Sequence, residues 1–302
     1  KEYLKIYGVL VGKKPIIFTN NDSAYETAIE FKNNGIEPII LDTRSNPKSE
    51  IVDEAKNLGI NIKFSHVVVA ANGYKKVNSA QIAQISANKK DLGIIEKINC
   101  DCICVSGFWT PSIHLSSQSG NKTKFDDKID AFVPGKSKQN ETTVGSANGI
   151  FNLEETINTS FEKGYELSKK ITNKDNKVSI PQVSEKNYTS HDKFWCVPLP
   201  DKKNYKRFLD FQNDVTVSDI ELALREGYRS IEHVKRYTTL GMATDQGKTS
   251  NLNGLQLVSD VENKIVPSVG HTTFRPPYTP VSIGAIVGRE VGKHSKPTRK
   301  SP

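Results

Sequence analysis

Apolar residues in the first third of the chain fall into two rhythms, and each predicts a different kind of element. Pro15-Ile-Ile-Phe18 and Ile36 to Leu41 are short apolar runs, the mark of strands buried on both faces of a parallel sheet. Between them Ala24, Ala28 and Phe31 recur at i, i+4 and i+7, which predicts a helix with one inward face. Asp22 or Ser23 stands where a cap is needed and Gly35 where the helix must stop. Strand, helix and strand in this order make a βαβ unit with a right-handed crossover. A second helix is predicted near Lys48–Leu58. A hairpin of His66–Ala71 and Lys75–Gln81 then turns tightly at Asn72-Gly73. Cys100–Val105 reads as a further buried strand.

The periodicity weakens from Ser106 to about Glu141, where the chain is polar and irregular. Thr142–Val144 predicts a short strand. Asn152 predicts the cap of a helix reaching about Lys170, with Glu154 and Glu155 in its first turn. Residues 173–193 are polar, rich in Ser and Asn, and read as a linker. Beyond Trp195 the helical rhythm returns three times. Thr216-Val-Ser-Asp219 has the form of a capping box before Ile220, Ala223 and Leu224. Ser230 precedes Ile231, Val234 and Tyr237, all expected to face inward, and Leu252, Leu255 and Val258 follow the Asp245–Ser250 turn. Gly227 and Gly241 are expected to end the first two helices, and the three would bury one small shared core.

At 302 residues and 36% hydrophobic content the chain has material for two or three modules with true cores. The net charge of +8 suggests a nucleic-acid partner only until its distribution is considered. Thirty-four acidic residues lie among 42 basic ones with no basic stripe, so nucleic acid is not expected. No apolar run approaches ~18 residues, so no membrane span is expected. Four cysteines, three of them at Cys100, Cys102 and Cys104, form no disulfide framework, which points to a cytoplasmic protein. Alternation along a strand would put those three thiols on one face as small hydrophobes. Zinc pairs keep two residues between cysteines, so no metal site is expected. The six histidines form no paired spacing. His233 is expected to be packed or at the surface, and His114 to lie beside the Trp109-Thr-Pro111 turn. The chain opens Lys1-Glu2-Tyr3 and ends after a Pro-rich run, as an internal piece of a longer protein would.

Three constellations carry candidate chemistry. Thr19-Asn-Asn-Asp22-Ser-Ala24 stands where a dinucleotide fold has Gly-x-Gly-x-x-Gly, and Asp42 follows about twenty residues on, where a ribose-binding acid belongs. All three glycines are missing, so this turn is the weaker nucleotide candidate. Gly145-Ser-Ala-Asn-Gly149-Ile-Phe-Asn152 is the stronger: two glycines permit close approach, and the Asn152 amide can meet a ribose or phosphate while capping its helix, unless it is an ordinary cap. Asp245-Gln-Gly-Lys-Thr-Ser250 offers Gly247, Lys248, Thr249 and Ser250 before a helix, suited to a flavin phosphate or to a partner interface. It is not a nucleotide P-loop, because the first glycine of that motif is absent ahead of Gly247 and no buried strand leads in.

These motifs resemble a known family. Phe208-Leu-Asp-Phe-Gln-Asn-Asp-Val-Thr216, Glu226-Gly-Tyr-Arg-Ser-Ile-Glu-His233, the run from Lys235 through Gly241-Met-Ala-Thr-Asp-Gln-Gly-Lys-Thr-Ser250 to Asn251, and Thr273-Phe-Arg-Pro-Pro-Tyr-Thr-Pro-Val281 are similar to the alpha subunit of heterotetrameric sarcosine oxidase. Cys102-Ile-Cys-Val-Ser-Gly-Phe-Trp-Thr-Pro111 and Gly145-Ser-Ala-Asn-Gly149 fit it as well. The resemblance implies an α/β fold of the two-dinucleotide-binding, Rossmann-like FAD/NAD(P) type. This fold would be incomplete here and followed by a small all-α module similar to the [2Fe-2S] domain of bacterioferritin-associated ferredoxin. It places a second, NAD-type subdomain at 1–98, the end of the FAD/NAD-binding domain at 99–172 and a linker at 173–204. The ferredoxin-like module would occupy 205–262, and 263–302 would connect to a folate-binding aminomethyltransferase domain outside this chain.

The same resemblance implies an oxidoreductase complex that demethylates sarcosine to glycine with release of hydrogen peroxide and passes the one-carbon unit to tetrahydrofolate. Beta, gamma and delta subunits would be its partners. FAD and substrate would lie in the beta subunit, where the C–H bond is broken, FMN at the alpha–beta interface, and NAD in alpha. No catalytic residue is then expected in this chain. Gly145, Gly149, Asn152, Ile157 and Thr159 match positions near NAD, although relatives carry Asp where Asn152 stands. Asp210, Gln212, Asp245 and Ser250 match the four cluster cysteines of the ferredoxin, and such a set cannot replace four thiolates. A non-catalytic module that docks a partner flavoprotein, or a subunit of another amine or imino-acid dehydrogenase, are the rival readings.

Overall fold

A computed structural model describes residues 1–107, 109–175, 179–183, 191–201, 204–275, 279, 281–290 and 292. The middle of the Thr273–Val281 motif, Phe108 within the Cys102–Pro111 motif and most of the connector after Glu290 lie outside these residues. In chain order the first elements are α1 (Glu2–Tyr7), β1 (Pro15–Thr19), α2 (Ser23–Asn33), β2 (Ile39–Asp42), α3 (Glu50–Asn57) and β3 (Asn61–Phe64). There follow β4 (His66–Gly73), β5 (Val77–Ile85), β6 (Leu92–Asn99), β7 (Cys102–Ser106), α4 (His114–Gln118), β8 (Thr123–Asp126), β9 (Ala131–Pro134) and α5 (Leu153–Thr172). The remaining elements are β10 (Phe208–Asp210), β11 (Val215–Thr216), α6 (Val217–Arg225), α7 (Ile231–Thr238), α8 (Asn251–Glu262), α9 (Val266–Val269) and α10 (Ile283–Val287).

The chain divides into two compact units. Residues 1–111 and 144–207 form the first, and 112–143 with 208–302 the second. The first is a mixed α/β layer structure around a parallel sheet of order β3-β2-β1-β7. Ile17 and Ile40 face α2 and α3 and pack with Ala24, Tyr25, Ala28, Phe31, Val52 and Ala55. On the other face Ile16 and Leu41 meet Ala80 and Ile82 of the antiparallel β4-β5-β6 sheet. Continuous apolar runs in β1 and β2 thus serve two cores at once.

Several expectations need correction. The hairpin forms, but Gly73 pairs with Val77, so the reversal falls on Tyr74-Lys75-Lys76 and not on Asn72-Gly73; an irregularity at Asn72/Gly73 absorbs the difference. The three cysteines do not share a face. Cys100 precedes β7 and packs with Ile16 and Leu41, whereas Cys104 lies on the helix side with its sulfur 3.7 Å from that of Cys102. Burial pushes the Cys104 thiol up to about 12, which suits a packed thiol. Thr142–Val144 is not a strand, and Gly145–Asn148 forms a short 3-10 turn instead. The irregular stretch before it holds α4 and the β8–β9 hairpin, where Phe125 and Phe132 meet edge to face at 5.2 Å. Asp22 does not cap α2 with its side chain; Asn21 Oδ1 instead accepts from the Ser23 N–H.

In the second unit the capping box forms: Asp219 Oδ2 accepts from the Thr216 N–H and hydroxyl at 2.7 and 2.8 Å. Val217, Ile220, Ala223 and Leu224 of α6 are buried, and α6 packs against both α7 and α8. The module is not purely helical, because β10 and β11 form a two-stranded hairpin at its start. Helix α7 stops at Thr239, in left-handed geometry, two residues before Gly241. Tyr237 is 40% exposed, and Lys235 takes the inward position. His233 is exposed. Among the described residues no helix is long and apolar enough to cross a membrane, and no group of three or more His, Cys, Asp or Glu is placed to hold a metal ion.

Candidate functional site

The turn after β1 lies at the carboxyl end of the parallel sheet, where open α/β folds take their ligands. Here it is filled with the protein's own polar groups. Arg44 Nη1 donates to Asp22 Oδ1 at 2.7 Å, and Arg44 Nη2 to Asp42 Oδ2 at 2.8 Å. Tyr25 Oη donates to the same Asp42 oxygen at 2.7 Å. Asp22 and Asp42 are 2% and 0% exposed. Burial acts to lower the proton affinity of Arg44, but its hydrogen bonds and charge contacts with Asp42 and Asp22 raise it above the ordinary value. Burial and Asp42 likewise hold Tyr25 protonated. The aspartate twenty or so residues on is therefore committed to Arg44 and Tyr25, not presented to a ribose. Sequence reading missed Arg44. An Asp-x-Arg at the end of a buried strand was the available signal, since a buried carboxylate calls for a cation nearby.

At the second constellation, Gly145 (φ 64°) and Gly149 (φ 83°) bracket the 3-10 turn in left-handed geometry that favours glycine. A side chain at Gly145 would meet the Thr156 methyl at 3.0 Å, so this glycine lets the turn pack on α5. Asn152 caps α5 as expected, its Oδ1 accepting from the Glu155 N–H at 2.9 Å. Ile157 and Thr159 lie one to two turns into the helix, half-buried, and Thr159 Oγ1 donates back to the Glu155 carbonyl at 2.7 Å. Helix α5 runs twenty residues without a buried side chain. Its amino end offers the positive dipole end and glycine-flanked backbone that a phosphate or ribose needs.

The third constellation is a loop ahead of α8, whose helix begins only at Asn251. Asp245 Oδ1 accepts from the Gly247 N–H at 3.1 Å, and Asp245 Oδ2 from the Thr249 hydroxyl at 3.3 Å. A carboxylate thus already sits among the groups that an incoming phosphate would use. Gly247 has φ 73°, and a side chain there would strike the Asn251 amide, 2.1 Å from its oxygen; Gly241 shares that constraint at 2.2 Å. Both glycines therefore make room for Asn251, whose Nδ2 donates to Thr272 Oγ1 at 3.1 Å. Lys248 and Thr249 are exposed, and Ser250 is buried. Asp210 Oδ2 accepts from the Gly241 N–H at 2.9 Å and Thr244 Oγ1 donates to Gln212 Oε1 at 3.0 Å, so Asp210 and Gln212 tie the β10–β11 turn to this loop. Behind the loop His114, 4% exposed, packs against Phe274 with ring centroids 3.9 Å apart and the planes tilted by 35°, and contacts the Gln246 carbonyl through Nε2 at 3.3 Å. Burial keeps its proton affinity below the ordinary value.

Residues 204–289 match the sarcosine oxidase A3 domain. Across the whole chain the sequence is 35% identical over 311 residues to the sarcosine oxidase subunit alpha of Rhizobium meliloti (strain 1021). It is 32% identical over 309 residues to that of Corynebacterium sp. (strain P-1). The chain spans 29% and 32% of the length of these two relatives. Among solved structures, an L-proline dehydrogenase from P. horikoshii superposes with a TM-score of 0.60 at 17% identity, over 94% of this chain and 51% of that one. This last likeness is one of fold.

Proposed function

Similarity to sarcosine oxidase alpha subunits runs the whole length of this chain, and on that premise we propose that it is the NAD-binding and partner-docking part of such a subunit. The complex would oxidatively demethylate sarcosine to glycine and hydrogen peroxide and pass the one-carbon unit to tetrahydrofolate. FAD and the C–H cleavage would reside in a beta subunit, FMN at the alpha–beta interface, and gamma and delta subunits would complete the assembly. The small unit after Phe208 is read as a ferredoxin-like module that carries no cluster, since Asp210, Gln212, Asp245 and Ser250 supply no thiolate.

The observation that carries the NAD reading is the start of α5, with two left-handed glycines ahead of a capped twenty-residue helix. Gly145 and Gly149 would keep the backbone close to the cofactor, Asn152 would hold a ribose or phosphate oxygen, and Ile157 and Thr159 would line the approach. Bound NAD would supply a hydride acceptor. These residues bind and orient, and none of them moves a proton. The loop of Gly247, Lys248, Thr249 and Ser250 suits docking of the beta subunit better than a flavin phosphate, because the Asp245 carboxylate occupies its donors.

The test uses the full-length alpha subunit with its beta partner. Gly149→Val should weaken NAD binding at least about tenfold by calorimetry, the equivalent of ~1.4 kcal/mol. Lys248→Ala should lower recovery of the beta subunit and leave NAD content unchanged. Unaltered NAD affinity in Gly149→Val would sink the cofactor reading. Loss of flavin with intact assembly in Lys248→Ala would favour a flavin phosphate after all.

A further inference from the structure

The crevice at the carboxyl ends of β1, β2 and β7 is closed at two levels. At the inner level lies the buried Asp22–Arg44–Asp42–Tyr25 cluster. The turn's own N–H groups are engaged beside it: Asn21 N–H with Thr19 Oγ1 at 3.1 Å, Ser23 N–H with Asn21 Oδ1 at 3.1 Å and Tyr25 N–H with the Asp22 carbonyl at 3.0 Å. A pyrophosphate would need such donors.

At the outer level the same chain returns across the turn. Asn21 and His191 form an antiparallel bridge. The Asp192 N–H donates to the Asn20 carbonyl at 2.9 Å, and Asn20 Nδ2 to the Asp192 carbonyl at 2.8 Å. Lys89 Nζ holds Asp192 Oδ1 at 2.5 Å and the Lys193 carbonyl at 2.9 Å. Phe194, Val197 and Tyr205 then pack on Val67, Val69, Ala83 and Ile85, and Tyr205 Oη donates to Gln81 Oε1 at 2.8 Å. Asn20 and Asn21 are 6% and 1% exposed under this cover.

We propose that residues 191–194 are an intramolecular ligand of this crevice, seated where a dinucleotide would lie, so that the βαβ unit anchors a strap of its own chain instead of a cofactor. Several features agree with this role. Thr19, Asn21 and Ala24 stand at the three glycine positions, because the ligand is a peptide strand that exchanges backbone hydrogen bonds and needs no pyrophosphate contact. The carboxylate at the end of β2 pairs with an internal arginine, because no ribose competes for it. The anchorage combines main-chain pairing, one ion pair and three apolar side chains, as strand addition at a sheet does. The inference is independent of NAD binding at α5.

Asn21 and His191, as bridge partners, lie within reach of an engineered disulfide. In the full-length alpha subunit, Asn21→Cys with His191→Cys should close on oxidation, with the 21–191 link identified by peptide mapping. NADH and FAD affinities should stay within about twofold of the reduced form. In the unaltered protein the Asp192 amide should exchange at least about a hundredfold more slowly than in an unstructured chain, with or without saturating NADH. A tenfold loss of nucleotide affinity on locking, or release of exchange protection in 191–197 by NADH or FAD, would overturn the proposal. Should the double variant fail to fold, the exchange measurement decides alone. Absence of nucleotide binding in both locked and unlocked protein, with Asp192 still protected, would sink the α5 cofactor reading while supporting the strap.

Discussion

In the first unit Arg44 lies between Asp22 and Asp42 with 8% of its side chain exposed. In the second unit the comparable loop holds the Asn251 amide between Gly241 and Gly247, and its carboxylates, Asp210 and Asp245, accept from backbone N–H groups and not from a cation. Both clusters are built from the protein's own atoms. They differ in what they depend on. The charged cluster depends on every member, because a buried ion left without its partner loses more than the pair ever gained. The second cluster depends on space and on left-handed backbone, which only small residues supply without strain.

The largest effect should separate the two. Arg44→Met leaves two buried carboxylates facing each other and should cost ~3–5 kcal/mol in urea denaturation. A cost below about 1 kcal/mol would mean that the cluster does not hold the turn. Gly247→Ala forces a side chain against the Asn251 amide at φ 73° and should cost ~2 kcal/mol. In a cycle with Asn251→Ala the two costs should fall short of additive; full additivity would break the link between them. Asp210→Asn keeps one acceptor but loses the charge that serves the Gly241 and Gln212 N–H groups, for ~1 kcal/mol.

The smallest effect is a pH dependence in the second unit. Burial, with the Gln246 carbonyl opposing it and Lys248 adding to it, sets His114 below the ordinary imidazole value of 6.5. The unfolded chain then binds this proton more tightly than the folded one. The stability that neutral His114 contributes is complete above about pH 6.5 and is lost as pH falls towards the folded value. Denaturation midpoints measured from pH 7 to 5 should fall, and His114→Phe, which keeps an aromatic ring against Phe274, should flatten that slope. An unchanged slope would show that His114 is not the group responsible.

Much of the fold was legible because it rests on periodicity. The runs at Pro15–Phe18 and Ile36–Leu41, the stripe Ala24, Ala28, Phe31 and the caps at Asn152 and Thr216 each report a local preference that packing then reinforced. The misreadings share a cause. Asn72-Gly73 is a favoured turn pair, yet the register between β4 and β5 moved the reversal to Tyr74–Lys76. Tyr237 fits an apolar stripe, yet Lys235 was drawn inward because the Thr273 carbonyl, thirty-eight residues away, accepts from its ammonium group at 2.9 Å. The candidate sites were legible as motifs but not as geometry. Asp42-x-Arg44 offers a local pair, but nothing near it announces Asp22 and Tyr25 as the further partners, and nothing in Gly241 or Gly247 announces Asn251.

The sequence by itself determined the βαβ order, the caps at Asn152 and Thr216 and the family resemblance, because these follow from residue type and spacing along the chain. Tertiary structure alone decided which polar groups face one another. It paired Asp42 with Arg44 and Tyr25, and it set the Asn251 amide against Gly241 and Gly247. It also turned part of a polar linker into a strap across the β1–α2 turn. The reason is physical: hydrophobic burial is non-directional and reads out as period, whereas a buried hydrogen bond or ion pair exists only when two distant segments are brought within about 3 Å.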